Sequence, residues 1–276
     1  MPEGVRALEV LSVVARIRAW PVATEAHGLP ARYTPTSPES ARAASPPKST
    51  TSCLSQPITV REVEHQDWVE WHRRYDDEAD PLCSRLQQLQ VLIRRCLDNA
   101  PPGRVRLVSV CAGQGHDVIA AVHGSPRRHD VDALLVELDQ RNVDAAVARA
   151  RQAELTGVRV LCADGSRIDS YRSHIPAHIV VVCGVLGHLA PHDRTEFIRK
   201  LPSMVDRNGC VIWNRNPSGA ASVRAAFAES GIAEVAFVDV EVRYGVGMHR
   251  LVEAAGIPLE ADRLFTFLDS TPVPKR

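Results

Sequence analysis

The sequence predicts an α/β fold: a doubly wound, seven-stranded, mostly parallel sheet with one antiparallel strand near the carboxyl terminus and an N-terminal helical cap. Three observations carry this. Apolar runs alternate with helical patterns from residue 105 to about 230, and the runs are almost unbroken, as in strands covered on both faces. A glycine turn follows the first run, in Val105-Arg-Leu-Val-Ser-Val-Cys-Ala-Gly-Gln-Gly-His-Asp117. Two further strand-like runs, 233–240 and 243–250, are joined by a link too short for a parallel crossover, so they pair antiparallel.

The elements follow in order. Residues 21–56 are rich in Pro, Ser, Thr and Ala, and such a composition cannot offset the entropy of ordering. The segment 1–56 is therefore expected to be disordered or an extension. Its basic, moderately apolar start (5–20) lacks the apolar core and cleavage site of a secretory signal. From 57 to 103 a helical cap is expected. Trp68, Trp71, His72 and Tyr75 recur at three- and four-residue spacing, Asp80-Pro81 breaks the pattern, and Leu86, Leu89, Leu92 and Ile93 resume it. Pro101-Pro102-Gly103 closes this section. The main domain, 104–276, has expected strands at 105–111, 132–138, 158–162, 178–183 and 208–214. Helices are expected at 116–123, 140–155, 192–204 and 219–230, before the closing pair of strands.

Composition narrows the function. The formal net charge of zero and the lack of a basic helix face argue against nucleic acid as the main partner. Thirty of the 33 basic residues are arginine, which reads as a coding bias. The seven cysteines, 53, 83, 96, 111, 162, 183 and 210, form no C-x-x-C pair, and a reducing, cytoplasmic setting is expected. There is no apolar run of transmembrane length.

Four features sit at the carboxyl ends of successive strands. Gly113-Gln114-Gly115 gives backbone that can approach a ligand. Glu137, about 20 residues further on, can accept both hydroxyl protons of a ribose. Asp164, after the third strand, can accept from an exocyclic amine. Val185-Leu-Gly-His188, after the fourth, offers an apolar floor for a base or a thioether. Singly, each has a plainer reading: a tight turn, a solvated strand-end acid, a helix cap, a surface histidine. Together they point to an adenosine-type cofactor. A nicotinamide dinucleotide would want a small residue where Val118 stands, and a second nucleotide-binding half. A P-loop would need Gly-Lys-Ser/Thr after the glycines.

With Val-Cys-Ala-Gly-Gln-Gly (110–115), Val-Glu-Leu-Asp (136–139), Ala-Asp-Gly (163–165) and Val-Val-Cys-Gly-Val-Leu-Gly-His (181–188), the chain from about 104 to 251 resembles a class I S-adenosylmethionine-dependent methyltransferase, which has a Rossmann-like fold. Trp-His-x-x-Tyr-Asp-Asp (71–77) and Tyr244-Gly-Val-Gly-Met-His-Arg250 are similar to an actinobacterial branch of that family. The resemblance implies S-adenosyl-L-methionine as cofactor, with Ala112, Gly113, Gln114 and Gly115 along its methionine portion. It places Glu137, with Leu138 beside it, at the ribose, Asp164 and Gly165 at the adenine, and Cys183, Gly184 and Val185 beside the sulfonium. Two positions depart from the family pattern: its usual acid is here Cys111, and its third glycine is here Asp117. Asp117 is expected to take over part of the missing carboxylate's role.

The expected reaction is methyl transfer to an oxygen or nitrogen of a small-molecule acceptor. No Asn/Asp-Pro-Pro-aromatic sequence, which serves amine methylation of DNA, follows the fourth strand. Acceptor-side candidates are His188, in the exit loop of that strand, and Tyr75 with Asp76, on the cap. Packing is the plainer reading of Trp68, Trp71 and Tyr75. No metal site is expected: His188 and His192 have helical spacing, but Pro191 lies between them. The alternatives are a non-catalytic protein that binds the same cofactor and a nicotinamide-dependent oxidoreductase.

Overall fold

The computed structural model describes residues 66–240, 243–252 and 262–268. The segment expected to be disordered or an extension, the first residues of the expected cap, and Cys53 lie outside the described residues.

Seven strands form one sheet: β1 Val105–Val110, β2 Val131–Glu137, β3 Val158–Cys162, β4 Ala177–Val182, β5 Val205–Arg215, β6 Ile232–Val240 and β7 Tyr244–Leu251. Their spatial order is β3-β2-β1-β4-β5-β7-β6. β1 to β5 pair in parallel, whereas β7 runs antiparallel to both β5 and β6. The expected single antiparallel strand is therefore β7. The order reverses between β1 and β4, and such a switch point opens a crevice at the carboxyl ends of the strands.

Helix starts follow local chemistry. α1 Trp68–His72 begins behind Asp67, whose carboxylate accepts from the Val69 and Glu70 amides. α2 Pro81–Asn99 has Asp80 as N-cap and Pro81 in its first turn, a position where the missing amide costs nothing. α3 His116–His123 springs from the left-handed Gly115. α4 Gln140–Gln152 is capped by Asp139. α5 Pro191–Lys200 and α6 Pro217–Glu229 also open on proline. The 192–204 helix of the sequence reading is thus shorter, and 201–203 tightens into a 3₁₀ turn at Pro202.

β5 is longer than its sequence suggests. The expected strand starts at 208, whereas β5 starts at Val205; Asn208 takes φ 63° inside the strand and the pairing with β4 shifts register there. The strand carries this as a bulge and continues back to Val205, which pairs with Ala177.

The faces of β5 show how the layers are filled. Cys210 meets Cys96 of α2, while Trp213 stacks on Phe227 of α6 at 5.8 Å. Trp213 is fully buried, and a Cβ on Gly247 of the adjacent strand would lie 2.3 Å from its ring. Only glycine leaves that slot open. The indole Nε1 donates to His249 Nδ1 at 3.0 Å, which satisfies the indole N–H and one nitrogen of the buried imidazole. α2 therefore lies against a sheet face beside α3, and among the described residues the part of the N-terminal region over the strand ends is the short stretch 68–76.

Candidate functional site

The glycine turn is held from below. Ala112 N donates to Val136 O at 2.9 Å and Gly115 N to Ala112 O at 3.0 Å. Gln114 donates to the buried Asn142 side chain at 3.2 Å, and Arg149 donates to the Gln114 carbonyl at 3.0 Å. The two glycines do different jobs. A Cβ on Gly115 (φ 68°) would meet Ile119 and Leu135 at 2.7 and 2.8 Å, so this glycine lets helix α3 close on the sheet. A Cβ on Gly113 (φ 54°) would instead meet the His72 ring at 2.4 Å. Gly113 thus presents bare backbone to the cap, and an imidazole lies against it.

Glu137, at the end of β2, binds the turn. Its Oε2 accepts from Gly113 N and its Oε1 from Asp139 N, both at 2.9 Å. A carboxylate offers about four acceptor positions, so two are left on a half-buried group facing the crevice. Leu138 follows, 59% exposed, an apolar side chain left in the open at a strand end.

Cys111 explains the absent acid. It takes φ 51°, and its sulfur packs toward Gly165, where a Cβ would be only 2.8 Å away. Burial pushes its thiol up, and the nearby carboxylates of Glu137 and Asp164 push it further. A third carboxylate buried there would face two like charges; the neutral thiol avoids this.

Asp164 closes a turn. Its Oδ1 accepts from Ser166 N at 2.9 Å and from Ser166 Oγ at 2.6 Å, and Oδ2 lies 3.8 Å from Arg263. Gly165 O accepts from the buried Tyr171 hydroxyl at 2.7 Å. Segment 262–268 runs alongside, bridging Arg167 through Arg263 and Leu189 through Phe267. Isolated bridges carry no periodic pattern, so this strap had no sequence signal.

At the exit of β4, Gly184 has φ 75° with open space beside its Cα. Its amide donates to Asn214 Oδ1 at 2.7 Å, tying the loop to β5. Cys183 is half-buried, and Val185 is buried in the main core. Burial raises the Cys183 thiol, and Asp117 adds to this. Asp117, in the first turn of α3, accepts from Val118 N at 2.8 Å. Burial raises its carboxyl, against the pull of the Val118 amide and of Arg85.

The three acceptor-side candidates are not brought into one cluster. His188 is exposed on a 3₁₀ turn, edge-on to Trp68 at 5.1 Å. Tyr75 is half-buried, tilted against His116 at 4.7 Å, and its phenol is pushed up to about 12 by burial. Asp76 is exposed beyond it. A chain of edge contacts, Trp68–Trp71 at 5.8 Å and Trp71–Tyr75 at 5.7 Å, connects His188 to Tyr75. His188 and His192 lie on different elements, a 3₁₀ turn and α5.

Sequence reasoning missed four residues here. His72 was read as part of a helical stripe, and His116 and Asn214 were not singled out. The fourth, Arg85, is buried at 6% exposure beneath the aromatic stretch. A histidine beside a glycine turn was the available signal for His116.

His116 has a measurable consequence. Burial, then Arg149 and His72, hold its imidazole down to about 3, and burial holds His249 down to about 4. Both are neutral when folded but protonate in the unfolded chain below about 6.5. The unfolded state then binds more protons, so stability falls as pH drops below that value. Each histidine contributes up to about 1.4 kcal/mol per pH unit in that window, partly offset by Asp117, whose raised carboxyl acts in the opposite sense. Thermal melts should show a lower Tm at pH 5 than at pH 7; a flat profile would contradict neutral buried histidines.

No protein-family model and no curated protein sequence matches the chain. Solved structures do match. Magnesium protoporphyrin IX methyltransferase from Synechocystis PCC 6803, with bound S-adenosylmethionine, superposes with a TM-score of 0.52 at 15% identity, over 66% of this chain and 90% of that one. Its complex with S-adenosylhomocysteine gives 0.52 at 14%, over 66% and 93%. A putative O-methyltransferase from Nostoc punctiforme PCC 73102 gives 0.52 at 13%, over 68% and 61%. At such identities the likeness is one of fold, and the fold is that of the class I S-adenosylmethionine-dependent methyltransferases. Among the described residues, no helix is long and apolar enough to cross a membrane.

Proposed function

We propose that the protein is an S-adenosylmethionine-dependent methyltransferase acting on a small molecule. The observation that carries this is the pairing of Gly113 with Glu137. A bare backbone face and a carboxylate with two acceptor positions to spare stand together at the switch point of the sheet. The residues fit the cofactor on that count. Gly113 would border its methionine portion with Ala112, Gln114 and Gly115. Glu137 would take the ribose hydroxyls, with Leu138 against the adenosine and Asp164 and Gly165 near the base. Cys183, Gly184 and Val185 would floor the sulfonium side.

Asp117 is the carboxyl available for the cofactor's ammonium group, because the family's usual acid position is here the thiol of Cys111, which packs against Gly165. When bound, S-adenosylmethionine supplies a methyl carbon whose bond to cationic sulfur breaks as the acceptor's lone pair bonds to it, leaving the neutral thioether S-adenosylhomocysteine. This chain's task is alignment, since positioning supplies much of the rate in such displacements. Tyr75, a phenol that stays protonated at neutral pH, can donate a hydrogen bond to the acceptor. His188 can take its proton if it carries one, and Asp76 lies at the rim.

A second reading, a non-catalytic binding protein, is favoured by the His72 ring lying against Gly113, which closes the cradle. The two are separated by incubating the protein and methyl-labelled S-adenosylmethionine with small-molecule extracts. The methyltransferase reading expects label in a product; a protein that binds the cofactor yet labels nothing across broad extracts supports the alternative.

A further inference from the structure

Arg85 sits in the first turns of α2, on the side of the crevice where β4 ends and β7 begins. Its side chain is 6% exposed, and it has no ion pair among the described residues. One guanidinium nitrogen, Nη2, donates to the Tyr75 hydroxyl. The Nε is buried with no hydrogen-bond partner. The guanidinium carbon lies 5.7 Å from the Trp71 ring centre and 5.2 Å from that of Tyr244. Its charge reaches Cys183, placed above on the sulfonium side, and Asp117, placed above at the cofactor's ammonium group. A buried cation without a counterion is costly, and its burial is worthwhile where an anion arrives.

We propose that Arg85 anchors the carboxylate of the methyl acceptor, and that the acceptor is a small aromatic acid. This rests on the methyltransferase reading for the word acceptor. The guanidinium fork matches a carboxylate in two parallel hydrogen bonds, and Nε is the donor left over for it. A singly charged group suits one cation with Asp117 close by; a phosphate dianion would be in excess. The guanidinium lies over the rings of Trp71 and Tyr244, and these aromatics can pack against the body of a planar molecule held at it.

Entry requires the covering stretch to move, and it is built to do so cheaply. No side chain of α1 or of the following 3₁₀ turn is fully buried, Trp71, His72 and Tyr75 being half-buried. Its anchor to the main domain includes the exposed ion pair of Asp67 with Arg141 at 3.1 Å. Segments with so little buried surface open at small cost.

The test is calorimetry of the full chain with 4-hydroxybenzoate and with its neutral amide, with and without saturating S-adenosylhomocysteine. In the wild type the acid should bind at least about tenfold tighter than the amide, the ratio expected of a charge-assisted pair. Arg85→Gln should bring the ratio to about one, and Arg85→Lys, which keeps the charge without the fork, to an intermediate value. S-adenosylhomocysteine affinity should stay within about threefold in Arg85→Gln, because the proposed anchor serves the acceptor. Equal binding of acid and amide by the wild type overturns the proposal, and that comparison needs no variant to fold. A tenfold or larger loss of S-adenosylhomocysteine affinity in either variant also overturns it, since the anion would then be the cofactor's own carboxylate. If the wild type prefers the acid through Arg85 but binds no S-adenosylhomocysteine, the anchor stands and the cofactor reading falls.

Discussion

Replacing Glu137 with alanine is expected to lower the affinity for S-adenosylhomocysteine about 100-fold, the loss of one or two hydrogen bonds to a charged acceptor. The same carboxylate holds the Gly113 and Asp139 amides, so stability should also fall, by about 1–3 kcal/mol for donors left unpaired. The two effects can be separated with the 2′-deoxyribose analogue of S-adenosylhomocysteine. The wild type should discriminate against the analogue and Glu137→Ala should not. Equal discrimination in both proteins would place the ribose elsewhere.

Gly113→Ala should weaken cofactor binding at least about tenfold. The new methyl group would sit in the open face of the turn, 2.4 Å from the present His72 Nε2, on a residue with φ 54°. Positive φ alone costs a non-glycine residue about 1 kcal/mol. His72 belongs to a short helix with no buried residue, so it can move aside, and the added loss of stability should be small. The double variant Gly113→Ala with His72→Ala tells the causes apart. Stability lost to the clash should return, but affinity for S-adenosylhomocysteine should stay low, because the methyl still occupies the cradle. Recovery of affinity in the double variant would mean that His72, and not the cofactor, is what Gly113 was made to accommodate.

Much of the sheet was legible because its physics is local. β1, β2 and β4 read as nearly continuous apolar runs, and they lie in the sheet's middle with both faces covered. The short link before β7 was enough to demand antiparallel pairing. Glu137 was visible for the same reason, since an acid that ends a buried strand emerges at its carboxyl edge. The glycines were legible as a turn, but their division of labour was not. That Gly115 serves packing and Gly113 the crevice depends on Ile119, Leu135 and His72, which are brought there by the tertiary fold.

Arg85 shows the same limit. In sequence it lies beside the apolar stripe of Leu86, Leu89 and Leu92, where an arginine normally reaches solvent. Its burial arises because Trp71 and Tyr75 from one segment and Tyr244 from another close around it. Packing is the plainer sequence reading of the aromatic stretch. In the structure its rings cover the strand ends while Trp68 stays 39% exposed, an arrangement that spacing alone does not separate from a core helix.

Calorimetry of the wild-type chain with S-adenosylhomocysteine, with NAD as the control ligand, tests the central claim most directly. The account expects one S-adenosylhomocysteine bound per chain and no binding of NAD. Binding of NAD without S-adenosylhomocysteine would contradict it and make the crevice that of an oxidoreductase.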